Sequence, residues 1–177
     1  MAECLIFKHG VTIGPTGAVR PCCAFNVKPN TKNLYWQDDW KTQHAIWNEQ
    51  SKTQWLDECE ECRISEQQTG ASLRTHYNKI LEHADGINFW DLKINNTCNF
   101  ACRMCGITAS IKWYKEAKKL HYPHISDEEY DKYVKTMYKS YDDDSLFWKS
   151  VYDTAPTLEM IDMYGGEPFL VKKQWEF

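Results

Sequence analysis

The chain has 177 residues, which allows one ordinary domain or two small ones. Hydrophobic residues make up 42% and charged residues 26%, enough apolar material for a core, which excludes a disordered chain. Residues 1–90 carry 9 basic and 11 acidic side chains and residues 91–177 carry 12 and 14, so no basic region indicates nucleic-acid binding. No apolar run approaches the roughly 20 residues that span a bilayer, and the first residues lack the basic segment of a secretion signal. We therefore expect a cytoplasmic protein with no membrane partner.

Eight cysteines are the unusual feature of the composition. In a reducing cytosol, cysteines at paired spacings more often bind metal or act in catalysis than form disulfides. They fall into two groups, which indicates two separate sites. The first group is Cys4, Cys22, Cys23, Cys59 and Cys62, and the second is Cys98, Cys102 and Cys105.

Short elements of mixed type surround the first cysteine group. Two alternating segments flank a Gly/Pro turn at Gly14–Gly17, which predicts a β-hairpin that delivers Cys22 and Cys23 at its end. The predicted elements in chain order are the hairpin over residues 11–20, a helix over 41–50, a cysteine knuckle over 59–62 and one helix over 66–83 that continues through Gly70.

From residue 90 the pattern changes to strands that alternate with helices. The predicted order is a strand over 90–94, a cysteine loop over 98–105, a helix from Thr108 or Ser110 to Leu120, a helix with a tyrosine-rich core face from Ser126, a strand over 158–164 and a glycine loop over 165–168. Ser126 and Glu129 have the spacing of a capping box at the start of the second of these helices. This alternation favours an α/β fold with a parallel sheet.

The second cysteine group has the spacing of a metal-cluster loop. Cys98, Cys102 and Cys105 form a C-x3-C-x2-C motif directly after a predicted strand. Three thiolates on one loop suit an iron–sulfur cluster, and a four-iron cluster with three protein ligands keeps one iron open for another molecule. A structural zinc would need a fourth ligand, and the next histidine along the chain is His121. A zinc knuckle or buried free cysteines are the plainer alternatives.

At this point the sequence resembles the radical SAM superfamily. The resemblance rests on Leu92-Lys93-Ile94, on the run from Asn96 to Cys105, and on Gly165-Gly166-Glu167-Pro168 about sixty residues later at the end of the next predicted strand. It implies a [4Fe-4S] cluster on Cys98, Cys102 and Cys105 whose open iron takes the amino and carboxylate groups of S-adenosylmethionine (SAM). Electron transfer from an external reductant of the flavodoxin or ferredoxin type would then cleave SAM to methionine and a 5'-deoxyadenosyl radical, which abstracts hydrogen from substrate.

The same resemblance assigns a cofactor-binding role to the glycine loop and to Met104. Gly165 and Gly166 let the backbone approach a ligand closely, and their carbonyls can accept hydrogen bonds from the methionine ammonium. Glu167, followed by Pro168, can fix the loop or meet that ammonium. Met104 stands where the family usually has an aromatic residue whose backbone contacts adenine. A backbone contact survives this substitution.

The first cysteine group resembles the twitch half of SPASM/twitch auxiliary-cluster domains. The pattern is C-x12-G-x4-C followed by C-x2-C, with Trp47-Asn48 ahead of the second pair. It implies an auxiliary [4Fe-4S] cluster on Cys4, Cys22, Cys59 and Cys62. Cys23 could replace Cys22, since neighbouring residues of an extended chain point to opposite faces, and four thiolates suit zinc equally well. We expect His9 and His44 to be satisfied or surface histidines.

These resemblances predict two domains in an α/β protein. Residues 1–86 would form a small α+β twitch-like domain, and residues 87–177 the start of a radical SAM core, a partial (β/α)6 TIM-like barrel. Because few residues follow the glycine loop, we expect an N-terminal fragment. These auxiliary domains usually follow the core, whereas here the pattern precedes it.

Three functions compete at this stage. The first is a radical SAM enzyme with an auxiliary cluster and an unidentified substrate, for which the resemblance favours a peptide. The second is a zinc-binding interaction module with two cysteine knuckles and no catalysis. A ferredoxin-like electron carrier, the third, would need a fourth ligand for the middle cluster.

Overall fold

The computed structural model describes residues 3–31, 33–35, 38–93, 95–136, 141, 145–172 and 176. Within these residues the strands are β1 (Gly10–Ile13), β2 (Ala18–Arg20), β3 (Leu34–Tyr35), β4 (Phe89–Leu92) and β5 (Met160–Met163). The α-helices are α1 (Ile6–His9), α2 (Trp40–Ser51), α3 (Glu60–Thr69), α4 (Leu73–Ile80), α5 (Tyr114–His121), α6 (Asp127–Thr136) and α7 (Ser145–Thr154). Short 3-10 turns cover Asp57–Cys59, Ile111–Trp113, Ala155–Thr157 and Pro168–Leu170.

The strands form one mixed five-stranded sheet in the order β3-β2-β1-β4-β5. β1 and β2 pair antiparallel, with Thr12 opposite Arg20, which confirms the predicted hairpin. β4 and β5 run parallel, because the amide of Met160 donates to the carbonyl of Asn88 and the amide of Tyr164 to that of Leu92, four residues further along each strand. Helices α5, α6 and α7 connect this parallel pair; the first two were predicted from the sequence, and α7 was not. The hairpin and the parallel pair nevertheless share one sheet, which the sequence did not indicate.

The chain forms two compact units, and the first comprises residues 1–13, 18–91 and 153–162. Its core is aromatic and aliphatic: Phe25 packs against Phe7 and Trp47, with ring centroids 6.0 and 4.6 Å apart. Full burial of such a side chain stabilises the fold by roughly 2 kcal/mol. A buried polar contact links neighbouring strands, where the Thr12 hydroxyl donates to the Asp91 carboxylate over 3.0 Å.

The second unit comprises residues 14–17, 92–152 and 163–177. The predicted tyrosine-rich face of α6 buries Tyr130 and Val134, whereas Tyr133 stays partly exposed. The Tyr130 hydroxyl donates to the carbonyl of Tyr114 over 3.1 Å and so ties α6 to α5. Ile94, Met137, Tyr138 and the acidic run at 142–144 lie outside the described residues. No helix in the described part of the chain is long and apolar enough to cross a membrane.

The single helix predicted over residues 66–83 is wrong, because the chain forms two helices there. Gly70 ends α3 in the left-handed conformation, with φ +75°, which a glycine adopts without steric cost. Ser72 then starts α4 with a reciprocal capping box to Thr75. The local capping residues therefore overrode the continuous helical periodicity.

Candidate metal and cofactor sites

The loop that follows β4 carries the three cysteines of the second group. Cys102 is exposed, and Cys98 and Cys105 are half-buried, so all three thiols reach the surface of the second unit. A tight turn brings two of them together, since the amide of Cys105 donates to the carbonyl of Cys102 over 2.9 Å. The Phe100 amide donates to the Cys98 sulfur over 3.4 Å.

Three side chains that sequence reasoning did not assign to this site hold the cysteine loop. The Ser110 hydroxyl donates to the carbonyl of Phe100 over 2.6 Å, and the Trp113 indole N–H donates to the carbonyl of Cys102 over 3.1 Å. The Asn96 side-chain amide donates to the carbonyl of Ile107 over 2.9 Å. Only Ser110 gave a local signal, as a possible helix cap. The other two donors reach backbone carbonyls eleven residues away along the chain. Contacts at that separation leave no local sequence pattern from which they could be predicted.

The glycine loop lies against both ends of the cysteine loop. The amide of Glu167 donates to the carbonyl of Thr97, and the amide of Gly166 donates to the carbonyl of Ala109, each over 2.7 Å. Thr97 precedes Cys98 directly, and Ala109 follows Cys105 by four residues. Two motifs separated by about sixty residues of sequence are therefore joined by backbone hydrogen bonds.

Both glycines in this loop are required by the geometry. Gly165 and Gly166 have φ values of +85° and +73°, where other residues are strained. A Cβ at Gly166 would collide with the carbonyl oxygen of Thr97, and one at Gly165 would come within 2.9 Å of the carbonyl oxygen of Asn95. Within the second unit these glycines thus approach the polypeptide itself closely, whereas the approach to a ligand predicted for them stays a prediction.

The remaining predicted cofactor residues flank these two loops. The Glu167 carboxylate accepts from the amide of Phe169 over 3.2 Å and caps the short 3-10 turn that begins at Pro168. Of the two roles considered for Glu167, this contact is the loop-fixing one. Met104 is 93% exposed at the tip of the cysteine loop.

Four cysteines of the first group are linked by electrostatic effects, since Cys4 and Cys59 lie within range of each other and of both Cys22 and Cys62. Burial raises the pKa of the Cys4 thiol to about 12, with the thiol of Cys62 adding to the shift. Burial likewise raises the pKa of Cys59 to about 12, followed by the effects of Cys4 and Cys62. The pKa of Cys22 is raised well above its usual range by burial, then by Cys4 and Cys59. Residues up to 58 positions apart in sequence are therefore gathered in one place.

Arg74 supplies a positive charge beside this cysteine group. Its guanidinium lowers the pKa of both Cys4 and Cys59, partly offsetting the effect of their burial. The Arg74 Nε donates to a Glu66 carboxylate oxygen over 2.8 Å, and the guanidinium lies over the Trp55 ring, 5.0 Å from its centroid. Arg74 was not predicted from the sequence, because it comes back to the cysteines only through the loop between α3 and α4.

Cys22 and its neighbour Cys23 have different surroundings. Cys22 is buried beside Cys4 and Cys59. Cys23 is exposed at the surface, and partial burial followed by the negative charge of Asp91 raises the pKa of its thiol. The geometry therefore groups Cys22, rather than Cys23, with the other cysteines.

The two histidines near this group differ as well. His9 is buried, and its Nδ1 lies 2.8 Å from the carbonyl oxygen of Gly86, so it is a satisfied histidine as predicted. His44 is neither satisfied nor at the surface: only 3% of it is exposed, and neither ring nitrogen has a hydrogen-bond partner among the described residues. For His44 the prediction is wrong, because α2 turns this residue into the fold, where no described residue hydrogen-bonds to its ring.

Among the described residues no three His, Cys, Asp or Glu side chains are already arranged to hold a metal ion. No protein-family model matches the chain, and no curated protein and no solved structure matches it.

Proposed function

We propose that this protein is a radical SAM iron–sulfur enzyme with an auxiliary metal centre. Cys98, Cys102 and Cys105 would hold a [4Fe-4S] cluster with one iron open to SAM. When bound and reduced by an external flavodoxin or ferredoxin, this cluster would supply the electron that cleaves SAM to methionine and a 5'-deoxyadenosyl radical. The radical would abstract hydrogen from a substrate. Our first candidate for this substrate is a peptide. The fold we propose is a twitch-like domain followed by the start of a partial (β/α)6 barrel.

The contact between the glycine loop and the cysteine loop carries this proposal. The hydrogen bonds from Glu167 to Thr97 and from Gly166 to Ala109 hold the two motifs side by side. A ligand on an open iron at the cysteine loop would therefore lie next to the glycine loop. Neither motif alone is specific, but a shared location makes one binding site of both.

The backbone of the glycine loop leaves acceptor groups for such a ligand. The amides of Gly166 and Glu167 are engaged by the cysteine loop. The carbonyls of Gly165 and Gly166 accept no hydrogen bond from the described residues. Carbonyls of two successive glycines, which carry no Cβ, suit the ammonium of an amino acid, which needs up to three acceptors. These residues would bind and orient the methionine part of SAM.

The donor set of the first cysteine group fits a metal centre of four thiolates. Cys4 and Cys59 lie near each other and near both Cys22 and Cys62, and Arg74 adds a positive charge. Burial raises the pKa of the Cys4, Cys22 and Cys59 thiols, and a bound cation would favour their deprotonation. Sulfur ligands suit an auxiliary [4Fe-4S] cluster and zinc alike. We propose the cluster, because of the twitch-like spacing.

Metal analysis tests both assignments together. The protein is reconstituted anaerobically, and iron, acid-labile sulfide and zinc are counted per chain. Roughly eight irons are expected for two four-iron clusters. About four irons with zinc would leave the radical SAM assignment standing only if Cys98→Ala removes the iron. Zinc without iron or sulfide would overturn the proposal and favour the zinc-binding interaction module.

A second measurement links the cluster to SAM without requiring turnover. SAM added to the reduced protein should change the electron paramagnetic resonance spectrum of the cluster on Cys98, Cys102 and Cys105. Cys98→Ala should abolish this change, whereas Cys23→Ala, a cysteine outside both proposed ligand sets, should leave it intact. A cluster spectrum that SAM does not alter would contradict the open iron.

A further inference from the structure

A positively charged segment follows the cysteine loop in a chain that is acidic overall. The net charge of the whole chain is -4, with histidine counted as neutral. Residues 101–121 contain five basic residues and one acidic residue, Glu116, and so carry +4. The rest of the chain therefore carries -8. Acidic residues return at the start of α6, from Asp127. The positive charge is thus concentrated between the cysteine loop and the end of α5.

Three of these cations lie in a row on the outer side of α5 and of the 3-10 turn before it. Lys112, Lys115 and Lys119 are three and four residues apart, so their side chains share one side of the helix. All three are exposed, whereas the opposite side of α5 buries Ala117. At 1.5 Å of rise per residue, this lysine row is about 10 Å long.

The lysine row begins beside the cysteine loop. The indole N–H of Trp113, the residue after Lys112, donates to the carbonyl of Cys102 over 3.1 Å. Cys102 is exposed, and the exposed Arg103 follows it. The length of the row is close to the Debye length of about 10 Å at 0.1 M salt, so the ammonium groups act together on a molecule that approaches the loop.

The described residues do not neutralise these cations. Other lysines are paired with acids: Lys28 with Glu60 over 3.2 Å, and Lys118, which is partly buried, with Asp127 over 3.5 Å. In the part of the chain that the structure describes, neither the lysine row nor Arg103 forms an ion pair. Their positive field is therefore available to a partner.

Exposed apolar side chains on the cysteine loop accompany the cations. Met104 is 93% exposed and Phe100 is 58% exposed. An apolar centre with a polar rim is the usual composition of a protein interface, and the flexible methionine side chain adapts to different partners. Electron-transfer partners form weak interfaces smaller than about 1,200 Å2, for which such a small surface suffices.

We propose that the lysine row and Arg103 form the docking surface of the reductant, and that the reductant is a protein with an acidic face around its redox centre. This inference rests on the proposed function, because it requires the cluster on Cys98, Cys102 and Cys105. One electron would pass from the docked reductant to the cluster, so the reductant is oxidised by one electron and the cluster is reduced from the 2+ to the 1+ state. The complementary charges would raise the rate of encounter and orient the partner.

The charge of the rest of the chain favours a compact partner. A long polyanion such as a nucleic acid would extend beyond a row of about 10 Å and meet a chain that otherwise carries -8. A protein can confine its negative charge to one patch. The observations therefore favour an acidic protein over a nucleic acid.

Stopped-flow reduction of the reconstituted protein tests the docking surface. The probe is a flavodoxin of net negative charge in its hydroquinone form, and the measured quantity is the rate constant of the absorbance change that is absent in Cys98→Ala protein. The row variant, Lys112→Glu with Lys115→Glu and Lys119→Glu, should lower this rate constant at least about tenfold at roughly 0.1 M salt. The difference should shrink at about 1 M salt, where the Debye length is about 3 Å.

A second measurement does not depend on electron transfer. Oxidised flavodoxin is titrated into the reconstituted wild type and row variant, and the Kd is obtained by calorimetry. The row variant should raise the Kd at least about fivefold, because like charges then face each other.

Two controls separate docking from general effects of charge. Lys8→Glu with Lys41→Glu and Lys79→Glu changes the net charge equally, at exposed lysines on helices of the first unit. This control variant should change the rate constant by less than about twofold at roughly 0.1 M salt, since distant charges are screened. Photoreduced 5-deazariboflavin, a small donor without net charge, should reduce the wild type and the row variant at equal rates. The response of the reduced cluster to SAM should persist in both variants.

Several results would overturn the inference. These are equal rate constants of wild type and row variant with flavodoxin, equal losses in the row and control variants, or a row variant that 5-deazariboflavin also reduces slowly, which would place the defect at the cluster. An oligonucleotide that binds the lysine row while reduction by flavodoxin is unchanged would assign the row to nucleic acid.

Failure of the proposed function has its own signature. If 5-deazariboflavin reduces no cluster that depends on Cys98, the radical SAM assignment fails and the docking surface fails with it. If it reduces that cluster but the row variant behaves as the wild type with flavodoxin, only the docking surface fails. Should the row variant not fold, glutamine replaces the same three lysines, and the rate constant should then fall at least about threefold.

Discussion

The backbone amide of Glu167 donates a 2.7 Å hydrogen bond to the carbonyl of Thr97, the residue directly before Cys98. This bond joins the glycine loop after β5 to the cysteine loop after β4. Parallel neighbours place the carboxyl ends of both strands at one edge of the sheet, where ligand sites of α/β proteins usually form. The contact therefore follows from the parallel pairing of two strands that are separated by three helices.

Substitution of Gly166 by alanine should disrupt this contact. Its φ of +73° is strained for alanine, and the new Cβ would collide with the Thr97 carbonyl oxygen. We expect a loss of at least about 2 kcal/mol in unfolding free energy, because backbone strain and steric overlap add. The spectroscopic response of the reduced cluster to SAM should also disappear.

Gly70→Ala is the matched control for that substitution. Gly70 has nearly the same φ, +75°, but no atom lies within 4 Å of the position of its Cβ. It should cost only the conformational strain, about 1 kcal/mol, and preserve the response to SAM. Equal losses for both variants in urea denaturation would show that the collision at Thr97 is unimportant.

Arg74→Met should weaken the first cysteine site. It removes the positive charge that favours thiolates at Cys4 and Cys59 and takes the cation from the Glu66 carboxylate, which among the described residues keeps only the hydrogen bond from Ser72. We expect a destabilisation of about 1–3 kcal/mol and a lower metal affinity, measured by competition with a chelator. Arg63→Met breaks an exposed 3.5 Å pair with Glu60 and should change stability by no more than about 0.5 kcal/mol. An unchanged metal affinity in Arg74→Met would contradict the role given to this charge.

Cys22→Ser and Cys23→Ser should have opposite consequences for metal content. Cys22 is buried beside Cys4 and Cys59, whereas Cys23 is exposed near Asp91. The first variant should lose the metal of the auxiliary site, and the second should keep it. Counting iron and zinc per chain in both variants measures this. Loss of metal from Cys23→Ser alone would reverse the assignment.

The stability of the protein should decrease in acid partly through His44. Burial lowers the pKa of His44 from 6.5 to about 4. Between pH 6.5 and pH 4 the His44 ring is therefore protonated in the unfolded chain and neutral in the folded chain. The contribution of His44 to the free energy of unfolding is therefore complete above pH 6.5 and is lost as the pH drops toward 4. Between pH 7 and pH 5 this single group should account for about 2 kcal/mol of lost unfolding free energy.

His44→Gln isolates this contribution, because glutamine does not titrate. The variant should show a shallower decrease between pH 7 and pH 5 in urea denaturation, while His83→Gln should follow the wild type. The charged groups around the pocket beside α2, Lys8, Lys41, Glu49 and Asp85, are present in all three proteins and cancel in the comparison. Identical pH profiles for wild type and His44→Gln would show that His44 is not protected from protonation.

Local features of the fold were predictable from the sequence. The Gly/Pro turn determined the hairpin of β1 and β2, and Ser110 caps the turn that leads into α5, as its position before that helix indicated. The helix predicted over 41–50 is α2, capped by Asp39. Each of these signals acts over a few residues, through backbone conformation or a nearby hydrogen bond. The prediction of one helix over 66–83 was wrong for an equally local reason, since Gly70 ends one helix and Ser72 starts the next.

The cysteine spacing and the Gly165–Pro168 motif indicated by themselves where thiol and glycine chemistry is concentrated. Only the tertiary structure decided which groups meet: the glycine loop with Thr97 and Ala109, Cys22 with Cys4 and Cys59, and Arg74 with Cys4 and Cys59. It also buries His44 where no described residue gives its ring a hydrogen bond. The reason is physical. Motifs and caps depend on neighbours within a turn or two, whereas these contacts join residues 15 to 70 positions apart, which come together only when the sheet and helices bury their apolar faces.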